Sequence, residues 1–171
     1  MEKKDLHEGD KAPIFKLESF NAGIIDLTDF RGQKVVLIFS RYFGCNICQL
    51  DLKTLLMNKN NIEGKEAKIV YITQSGEKVA KEFIEKENIN FPVIPSSKEE
   101  LYNDYGLGLM TAESASKVKE KMKESMKLGI SHGEFEGWEK QGPGQFVINE
   151  EGNIIHAKKG WLDIDKILSV L

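Results

Sequence analysis

Two cysteines, Cys45 and Cys48, are the residues of this 171-residue chain best suited to covalent chemistry. They are the only cysteines in the sequence, and two residues separate them. On a helix, positions i and i+3 lie on one face, where the two Cα atoms fall within the distance that a disulfide spans. The free N–H groups and the dipole at a helix start stabilise a thiolate, which is the reactive form of cysteine. The pair is therefore predicted to be a redox centre.

Three other roles for a Cys-x-x-Cys pair stay open. A structural disulfide would restrict the unfolded chain little, because the loop that it closes is short. Two thiolates at this spacing also form half of a zinc site, but His7, His132 and His156 lie far apart and show no paired spacing. The third alternative is a pair of inert, buried thiols. We expect no metal in the site.

A predicted strand and a predicted helix position the pair. Residues 35–39 (Val-Val-Leu-Ile-Phe) form a short apolar run rich in β-branched and aromatic side chains, which is typical of a strand buried on both faces. After the cysteines, Leu52, Leu55 and Leu56 recur at three- and four-residue steps, which predicts an amphipathic helix. The cysteines are therefore expected where a buried strand is followed by a helix.

The rest of the chain alternates between strand and helix patterns. A hairpin is predicted before the central strand, and a second strand at 67–73 precedes an amphipathic helix at 77–87. This alternation implies parallel strands joined by right-handed crossovers. A late hairpin is predicted at 145–157, and a closing helix follows a cap at Asp163. The chain is thus predicted to be one α/β domain over residues 1–171.

The sequence also predicts the structure of two shorter segments. Residues 58–65 have turn-like composition and are predicted to connect the cysteine helix to the second strand. Ser96 and Ser97, followed by two glutamates, are predicted to cap a short helix that ends at Gly106.

Charge and hydropathy narrow the classes of function. The chain has 24 basic and 27 acidic residues, a net charge of −3 and a pI of about 5.7, so no basic field attracts nucleic acid. No apolar run approaches the roughly 20 residues of a membrane span, and the first ten residues lack the apolar core of a signal peptide. We expect a soluble, cytoplasmic protein that binds neither nucleic acid nor a membrane.

Several segments resemble the family of alkyl hydroperoxide reductases and thiol-specific antioxidant proteins, which comprises the peroxiredoxins and their relatives. Residues 9–15 look like its entry motif, 27–32 like its strand-turn, and 146–154 like its late hairpin. The cysteine motif at 43–48 and a long insert at 111–140 are most similar to the peroxiredoxin-like 2, or selenoprotein U-like, group. The resemblance implies a thioredoxin-like fold, with a central mixed sheet flanked by helices, an N-terminal hairpin and a helical insert before the late hairpin.

The chain departs from the family pattern at functional positions. Cys48 stands where peroxiredoxins keep the peroxide-attacking cysteine, but Arg41 replaces their proline and Cys45 their threonine. Pro143 replaces the arginine that they place before the late strand. In comparison with thioredoxin, Ile38 replaces the buried acid, and Pro143 matches the position of the cis-proline that faces the disulfide. The simpler alternative is that Pro143 shapes a turn.

The resemblance implies a thiol-disulfide oxidoreductase of peroxiredoxin-like type, an antioxidant that reduces a small peroxide or disulfide and is recharged by thioredoxin or a similar dithiol. No organic cofactor is expected, because no Gly-rich dinucleotide fingerprint follows a strand. The alternative function is a non-catalytic thioredoxin-like binding module or a metal-binding protein that uses the cysteine pair.

The two family comparisons disagree on which cysteine attacks first. Peroxiredoxin spacing favours Cys48, whereas thioredoxin-type centres use the first cysteine, at the exposed start of the helix. We predict that Cys45 is the nucleophile and that Cys48 resolves, because the peroxiredoxin threonine and arginine are missing. The predicted neighbours of the cysteines in the active site are Arg41, Tyr42, Phe43, Gly44 and Pro143.

The insert at 111–140 is expected to lie beside the cysteines, because it leads into the Pro143 loop, which faces the active site in this fold. Its glycine-rich end carries Phe135 and Trp138, which would wall the approach of a substrate. Its first part is a predicted surface helix at 111–130 with one apolar face. That face comprises Ala115, Val118, Met122 and Met126.

Overall fold

The computed structural model describes residues 5–96 and 100–171. A five-stranded mixed sheet forms the centre, and a separate two-stranded sheet precedes it. The strands are β1 (Lys16–Glu18), β2 (Ile24–Asp26), β3 (Lys34–Phe39), β4 (Ala67–Thr73), β5 (Val93–Pro95), β6 (Gly144–Ile148) and β7 (Ile154–Lys158). The helices are α1 (Asn46–Met57), α2 (Lys59–Glu63), α3 (Glu77–Lys86), α4 (Glu100–Asp104), α5 (Ala112–Lys127) and α6 (Ile164–Val170). The predicted mixed α/β architecture is confirmed.

Strand β3 lies in the middle of the sheet, whose order is β5-β4-β3-β6-β7. It pairs parallel with β4 and antiparallel with β6, so that Ile38 lies opposite Tyr71 on one side and Gln145 on the other. Residues 35–39 are all buried, because both faces of the sheet are covered at this strand. The cysteine helix therefore starts just after a strand that packing holds firmly.

Side chains from the two faces of β3 enter two separate parts of the core. On one face, α1 packs against the sheet through Leu52 and Leu55. On the other face, the ring of Phe39 lies 5.1 Å from that of Tyr102 and 5.8 Å from that of Phe146. These contacts fix the end of β3, from which the chain turns into the cysteine motif.

Both predicted hairpins are confirmed. Strands β1 and β2 pair antiparallel around a turn in which Gly23 has φ +68°, a value that favours glycine. Strands β6 and β7 form the late hairpin. The predicted cap of the closing helix is also confirmed, since an Asp163 carboxylate oxygen accepts a hydrogen bond from the backbone N–H of Lys166 at 3.1 Å.

The segment between α1 and β4 differs from the predicted turn. It contains the short helix α2, because Ile62 is completely buried beside β4 and draws this part of the chain against the core. Turn-forming residues therefore do not exclude a helix where one apolar side chain has a place to pack. The proposed helix cap at Ser96 and Ser97 extends into residues 97–99, which lie outside the described part of the chain.

Helix α5 exists as predicted, but its buried face is shifted. Ser114 and Ser125 are buried, whereas Met126 keeps 66% of its surface exposed. The helix packs against α1, and Ser114 lies next to Trp161, whose indole N–H donates to the Ser114 carbonyl at 2.9 Å. The predicted face is thus right at Val118, which packs against the cysteine cluster, and at half-buried Met122, and wrong at its exposed members Ala115 and Met126.

The chain leaves the body of the domain before α5 and returns to it at the same place. Leu109 and Gln141 form an antiparallel bridge, and the backbone N–H of Met110 donates to the carbonyl of Lys140 at 3.1 Å. Residues 111–140 thus form one long insertion whose two ends lie side by side. Within the residues described, no helix is long and apolar enough to cross a membrane.

Candidate active site

Cys45 is the N-cap residue of α1, which begins at Asn46. Its backbone is extended, with φ −67° and ψ 125°, and its sulfur accepts a hydrogen bond from the backbone N–H of Cys48 at 3.3 Å. Both cysteines are free thiols. The structure therefore brings the pair together at a helix start, where unpaired N–H groups face the Cys45 sulfur.

Cys45 is buried, unlike the exposed first cysteine of the thioredoxin-type centres with which it was compared. Each cysteine keeps only 4% of its surface accessible, and both pack in one buried cluster with Tyr42 and Trp161. Residues 131–139, which we call the strap, cross the chain just before Cys45. The first turn of a helix is often exposed, but here residues distant in sequence, Trp161 and the partly buried Met110 and Val118, pack against it.

The two thiols have opposite pKa shifts. The pKa of Cys45 is lowered to about 7, chiefly by a hydrogen bond from the Cys48 thiol, with further contributions from the Cys48 backbone N–H and the Arg41 cation, against the opposing effect of burial. Burial raises the pKa of Cys48 well above its usual value, and the hydrogen bond and charge of Cys45 raise it further. Near neutral pH, Cys45 is therefore the thiol that ionises, whereas Cys48 keeps its proton.

Arg41 is the cation at the site. Its Nη1 lies 3.8 Å from the Cys45 sulfur, and its Nη2 donates to the backbone carbonyl of Glu139 at 2.6 Å. The guanidinium also lies 5.2 Å from the centre of the Tyr42 ring. Arg41 is thus in direct contact with both the thiol and the strap, and it favours the thiolate form of Cys45.

The strap crosses the cysteine motif at Gly44, where two backbones touch. The Gly133 N–H donates to the Gly44 carbonyl at 2.8 Å. A Cβ atom on Gly44 would lie 2.4 Å from the Glu134 carbonyl oxygen, which is closer than atoms approach. Glycine is therefore required at position 44 for this crossing.

A tyrosine–histidine pair joins the same end of the strap to the cysteine motif. The Tyr42 hydroxyl lies 3.1 Å from Nε2 of His132, and Nδ1 of that ring lies 2.6 Å from the Gly133 carbonyl. Since a carbonyl only accepts, Nδ1 carries the hydrogen, and in the neutral ring Nε2 accepts from Tyr42. This contact fixes the Tyr42 ring over the cysteine cluster.

The far end of the strap is hydrogen-bonded to the loop after β4. The Glu136 carboxylate accepts from the Gly76 backbone N–H at 2.7 Å, at the start of α3. The Trp138 backbone N–H donates to Gln74 at 2.9 Å, and the Gln74 amide donates to Gln141 at 2.9 Å. The strap is therefore bonded on both sides of the site.

Of the two strap aromatics, Phe135 lies next to the cysteine cluster, as predicted, and Trp138 follows it on the strap. The Phe135 ring lies 6.0 Å from that of Tyr42, which packs with the cysteines, and keeps 76% of its surface exposed. Trp138 is half-buried on the same segment, next to the carbonyl that binds Arg41. A molecule that approaches the cysteines from this side meets the strap first.

The remaining predicted neighbours divide into two groups. Pro143 lines a small cavity together with Cys48, and the described residues contain no cis peptide bond, so the Gly142–Pro143 bond is trans. The Phe43 ring points away from the cysteines and stacks with Tyr71 and Phe83, at centroid distances of 5.7 and 5.0 Å. Phe43 supports the core and does not line the site.

The cavity beside Cys48 reveals residues that the sequence analysis missed. It has a volume of about 20 Å³, and Asp51, Gln145 and Trp161 contribute to its wall. Asp51 follows Cys48 by three positions, so helical spacing alone could have identified it. Gln145 and Trp161 come from the far end of the chain, and no local pattern relates them to the cysteines.

The histidines do not gather at the cysteines. His132 bonds to Tyr42, and His156 is buried next to Gln145, whose amide nitrogen lies 2.8 Å from its Nε2. Within residues 5–96 and 100–171, no group of three or more His, Cys, Asp or Glu side chains is placed to hold a metal ion.

The sequence is similar to those of a thiol-disulfide oxidoreductase and a peroxiredoxin. The thiol-disulfide oxidoreductase ResA of Bacillus subtilis is 27% identical over 104 residues, which cover 60% of this chain and 58% of that protein. The peroxiredoxin Bcp of Escherichia coli is 26% identical over 102 residues, which cover 60% of this chain and 65% of that protein. The matched region thus spans less than two thirds of the length of each relative.

Solved structures share the fold over nearly the whole chain. The reduced 2-Cys peroxiredoxin of Plasmodium vivax superposes with a TM-score of 0.69 at 16% identity, covering 96% of this chain and 94% of that one. A thioredoxin-family thiol:disulfide interchange protein of Chlorobium tepidum superposes with a TM-score of 0.63 at 17% identity, covering 97% of each chain. The predicted thioredoxin-like fold is confirmed.

The sequence profile of the AhpC/TSA family matches residues 8–157. This range begins before β1, includes both cysteines and extends into β7. Because the match covers most of the chain and the fold agrees with it, the chain belongs to the AhpC/TSA family.

Proposed function

We propose that the chain is a thiol-disulfide oxidoreductase of peroxiredoxin-like type, within the peroxiredoxin-like 2 group, which reduces a small peroxide or disulfide. The observation that carries the proposal is the opposite pKa shift of Cys45 and Cys48, one helical turn apart. A two-thiol cycle needs one thiolate that attacks and one thiol that keeps its proton until the bridge closes.

The reaction has two steps. The Cys45 thiolate attacks a peroxide oxygen, which breaks the O–O bond and leaves a sulfenic acid and an alcohol or water, or it attacks a disulfide sulfur and expels a thiolate. Cys48 then loses its proton and bonds to the Cys45 sulfur, which releases water or the second thiolate. Each cycle reduces the substrate by two electrons and oxidises the pair to a disulfide.

Three features support Cys45 as the nucleophile. Its sulfur accepts a hydrogen bond from the Cys48 N–H, its pKa is near neutrality, and Arg41 lies beside it. Cys48 lies one turn deeper, and burial disfavours its thiolate. This environment supports the thioredoxin-type order of attack, in which Cys48 resolves.

The disulfide must then be reduced from outside, and we propose thioredoxin or a similar dithiol as the donor. A reducing compartment, such as the cytoplasm predicted from the sequence, would supply it. Since each thiol keeps only 4% of its surface accessible, we propose that the oxidant is small.

Single-cysteine variants test this function. After mild oxidation with hydrogen peroxide, alkylation and mass spectrometry should show that the wild-type protein loses both alkylation sites together. Cys48→Ser should accumulate a sulfenic acid or mixed disulfide on Cys45, and Cys45→Ser should not react in the first step. Trapping only in Cys45→Ser would instead assign the attack to Cys48.

The same samples distinguish the alternative functions. Both thiols remaining alkylatable after oxidation would contradict the redox proposal. Stoichiometric zinc in protein purified under reducing conditions would favour a metal-binding protein. We expect neither result.

A further inference from the structure

The Arg41 guanidinium favours the Cys45 thiolate only while it stays beside the sulfur. An arginine side chain is long and has many rotamers, so a fixed position must come from contacts. Nη1 lies 3.8 Å from the Cys45 sulfur, and Nη2 donates to the Glu139 carbonyl at 2.6 Å. Nε is buried and has no hydrogen-bond partner among the described residues. The Glu139 carbonyl is therefore the polar contact that anchors this cation.

The anchor is neutral, although it belongs to a glutamate. Among the ion pairs of residues 5–96 and 100–171, none joins Arg41 to a carboxylate. A carboxylate in contact with the guanidinium would offset much of its charge, whereas a carbonyl orients the guanidinium and leaves the charge to act on the Cys45 sulfur. The position of one backbone carbonyl thus sets the position of a cation whose charge is not neutralised.

A β-turn over residues 138–141 presents this carbonyl to Arg41. The backbone N–H of Gln141 donates to the Trp138 carbonyl at 3.0 Å, which closes the turn, and Glu139 is its second residue. A turn can fix an arginine only if the turn is itself fixed to the body of the domain.

The side chain of Gln74, the residue directly after β4, holds this turn at both ends. Its amide oxygen accepts from the Trp138 backbone N–H at 2.9 Å, and its amide nitrogen donates to the Gln141 side-chain oxygen at 2.9 Å. Both glutamines are buried. A buried amide is costly unless its donors and acceptors are bonded, so the loss of either contact is unfavourable and the turn stays in place.

Gln74 also holds the main chain of Arg41. Its backbone N–H donates to the Arg41 carbonyl at 2.7 Å, and the hydroxyl of the neighbouring Thr73 donates to the same carbonyl at 3.3 Å. One residue therefore fixes the start of the arginine side chain through its own backbone and the anchor of the guanidinium through its amide.

The strap packs closely against the Gln74 side chain. Gly137 has φ +69°, and a Cβ atom on it would lie 2.5 Å from the Cβ atom of Gln74, which is closer than atoms approach. Position 137 therefore requires glycine, and the amide of Gln74 is enclosed between the strap and the end of β4.

We propose that Gln74 is a positioning residue, which keeps the Arg41 guanidinium beside the Cys45 sulfur by fixing both the Arg41 main chain and the turn at Glu139. Gln74 acts on the sulfur through Arg41. This role rests on the proposed function, in which Cys45 attacks first, and it names a residue on which the reactivity of that thiolate depends.

Gln74→Met removes the amide, keeps the length of the side chain and leaves the backbone N–H in place. Alkylation of Cys45 by iodoacetamide, followed across pH by mass spectrometry of the labelled peptide, gives the midpoint of its ionisation. We expect this midpoint to rise, so that alkylation below it is about two- to fivefold slower than in the wild type, because only the thiolate reacts. Cys48 and Tyr42, the titratable groups packed with Cys45, are unchanged in the variant.

A double variant distinguishes positioning of the cation from a general structural role. If Gln74 acts through Arg41, adding Gln74→Met to Arg41→Met should not move the midpoint further. A loosened loop that acts on Cys45 by another route would move the midpoint equally in both backgrounds.

Asn21→Leu is the matched control, because it also removes a side-chain amide with two hydrogen bonds. In the turn between β1 and β2, the Asn21 amide donates to the Phe91 carbonyl and accepts from the Val93 N–H, both at 2.9 Å. This variant should lose stability without moving the Cys45 midpoint. Gln141→Met breaks only one of the two side-chain contacts of Gln74 and should raise the midpoint less, which tests the proposal even if Gln74→Met folds poorly.

A wild-type midpoint in Gln74→Met and Gln141→Met would overturn the role of Gln74 and leave the proposed function intact. A shift of equal size in the Arg41→Met background, or in Asn21→Leu, would also overturn it. Failure of the wild-type cysteines to form a disulfide with hydrogen peroxide would instead refute the proposed function, whatever the midpoints show.

Discussion

The Arg41 guanidinium bridges the Cys45 sulfur and the Glu139 carbonyl, with Nη1 at 3.8 Å from the first and Nη2 at 2.6 Å from the second. One side chain thus contacts both the proposed nucleophile and the strap. The charge on the sulfur and the closure of the strap are physically connected through this residue.

Replacing Arg41 by Met should raise the pKa of Cys45 above about 7, because the nearby cation is lost. The rise should be partial, since the hydrogen bond from the Cys48 thiol contributes most to the lowered pKa and remains. The measurement is the rate of alkylation by iodoacetamide as a function of pH, whose midpoint should move to higher pH. Arg41→Lys keeps the charge and is the matched control. A Met variant with the wild-type midpoint would contradict the role of the cation.

Replacing Cys48 should also raise the pKa of Cys45. The size of the rise should depend on which hydrogen-bond donor remains at position 48. Cys48→Ala removes the S–H donor and should raise the Cys45 pKa, whereas Cys48→Ser keeps an O–H donor and should raise it less. Below its midpoint, the alkylation rate falls about tenfold for each pH unit, because only the thiolate reacts. Equal midpoints for the Ala and Ser variants would show that this hydrogen bond does not control the pKa.

Gly44→Ala should displace the strap. The new Cβ would lie 2.4 Å from the Glu134 carbonyl oxygen, so the two backbones must separate. We expect faster alkylation of Cys45 at a pH where the thiol is fully ionised, and faster proteolysis within residues 131–139. Glu134→Ala is the control, because it leaves the backbone contact intact and removes only an exposed side chain. The prediction fails if both variants react at the same rate.

Trp161→Phe should lower the free energy of unfolding by about 1–2 kcal/mol, because a buried hydrogen bond is lost and the smaller ring leaves a void. The Trp161 indole N–H donates to the Ser114 carbonyl at 2.9 Å, and the residue is 2% exposed. Urea unfolding at neutral pH gives the difference. In the control Trp138→Phe, the strap contact to Gln74 runs through the backbone, so a smaller change is expected.

The free energy of unfolding should decrease in mild acid because of His156. Its Nε2 accepts a hydrogen bond from the Gln145 amide, since the Gln145 carbonyl oxygen is occupied by the N–H of Asp163. Burial lowers the pKa of His156 from 6.5, so the unfolded chain binds a proton first as the pH falls, and stability is lost below about 6.5. His156→Gln should lose less stability than the wild type between neutral and mildly acidic pH in urea unfolding. Parallel losses would contradict this.

Local patterns were sufficient to predict the framework of the fold. The apolar run at 35–39 and the cysteine spacing predicted β3 and the start of α1, because both depend on residues close in sequence. The burial of Cys45 does not follow from local patterns, because it comes from residues distant in sequence, such as Trp161 and the partly buried Val118, that pack in its cluster. Contacts such as Gly44 with Gly133 join backbones nearly ninety positions apart, and glycine offers no side chain from which to predict them.

Asp51 illustrates an intermediate case. Its spacing from Cys48 was readable in the sequence, but an acidic residue on a helix is ordinarily exposed, so the pattern alone gives it no role. The fold shows what surrounds it. Lys121 of α5 donates to its carboxylate, and Asp51 lines the cavity beside Cys48 together with Trp161.

The two ends of the segment 111–140 meet at the bridge between Leu109 and Gln141. The loop-closure cost of such an excursion grows only slowly with its length, so residues can be added or removed without changing the spacing of the core strands. The junction of β3 and α1, which carries the cysteines, lies outside this segment of the chain. Changes in this one segment can therefore alter both what reaches the thiols and, through the Glu139 contact to Arg41, the charge beside the Cys45 sulfur, while the strands that carry the site keep their places.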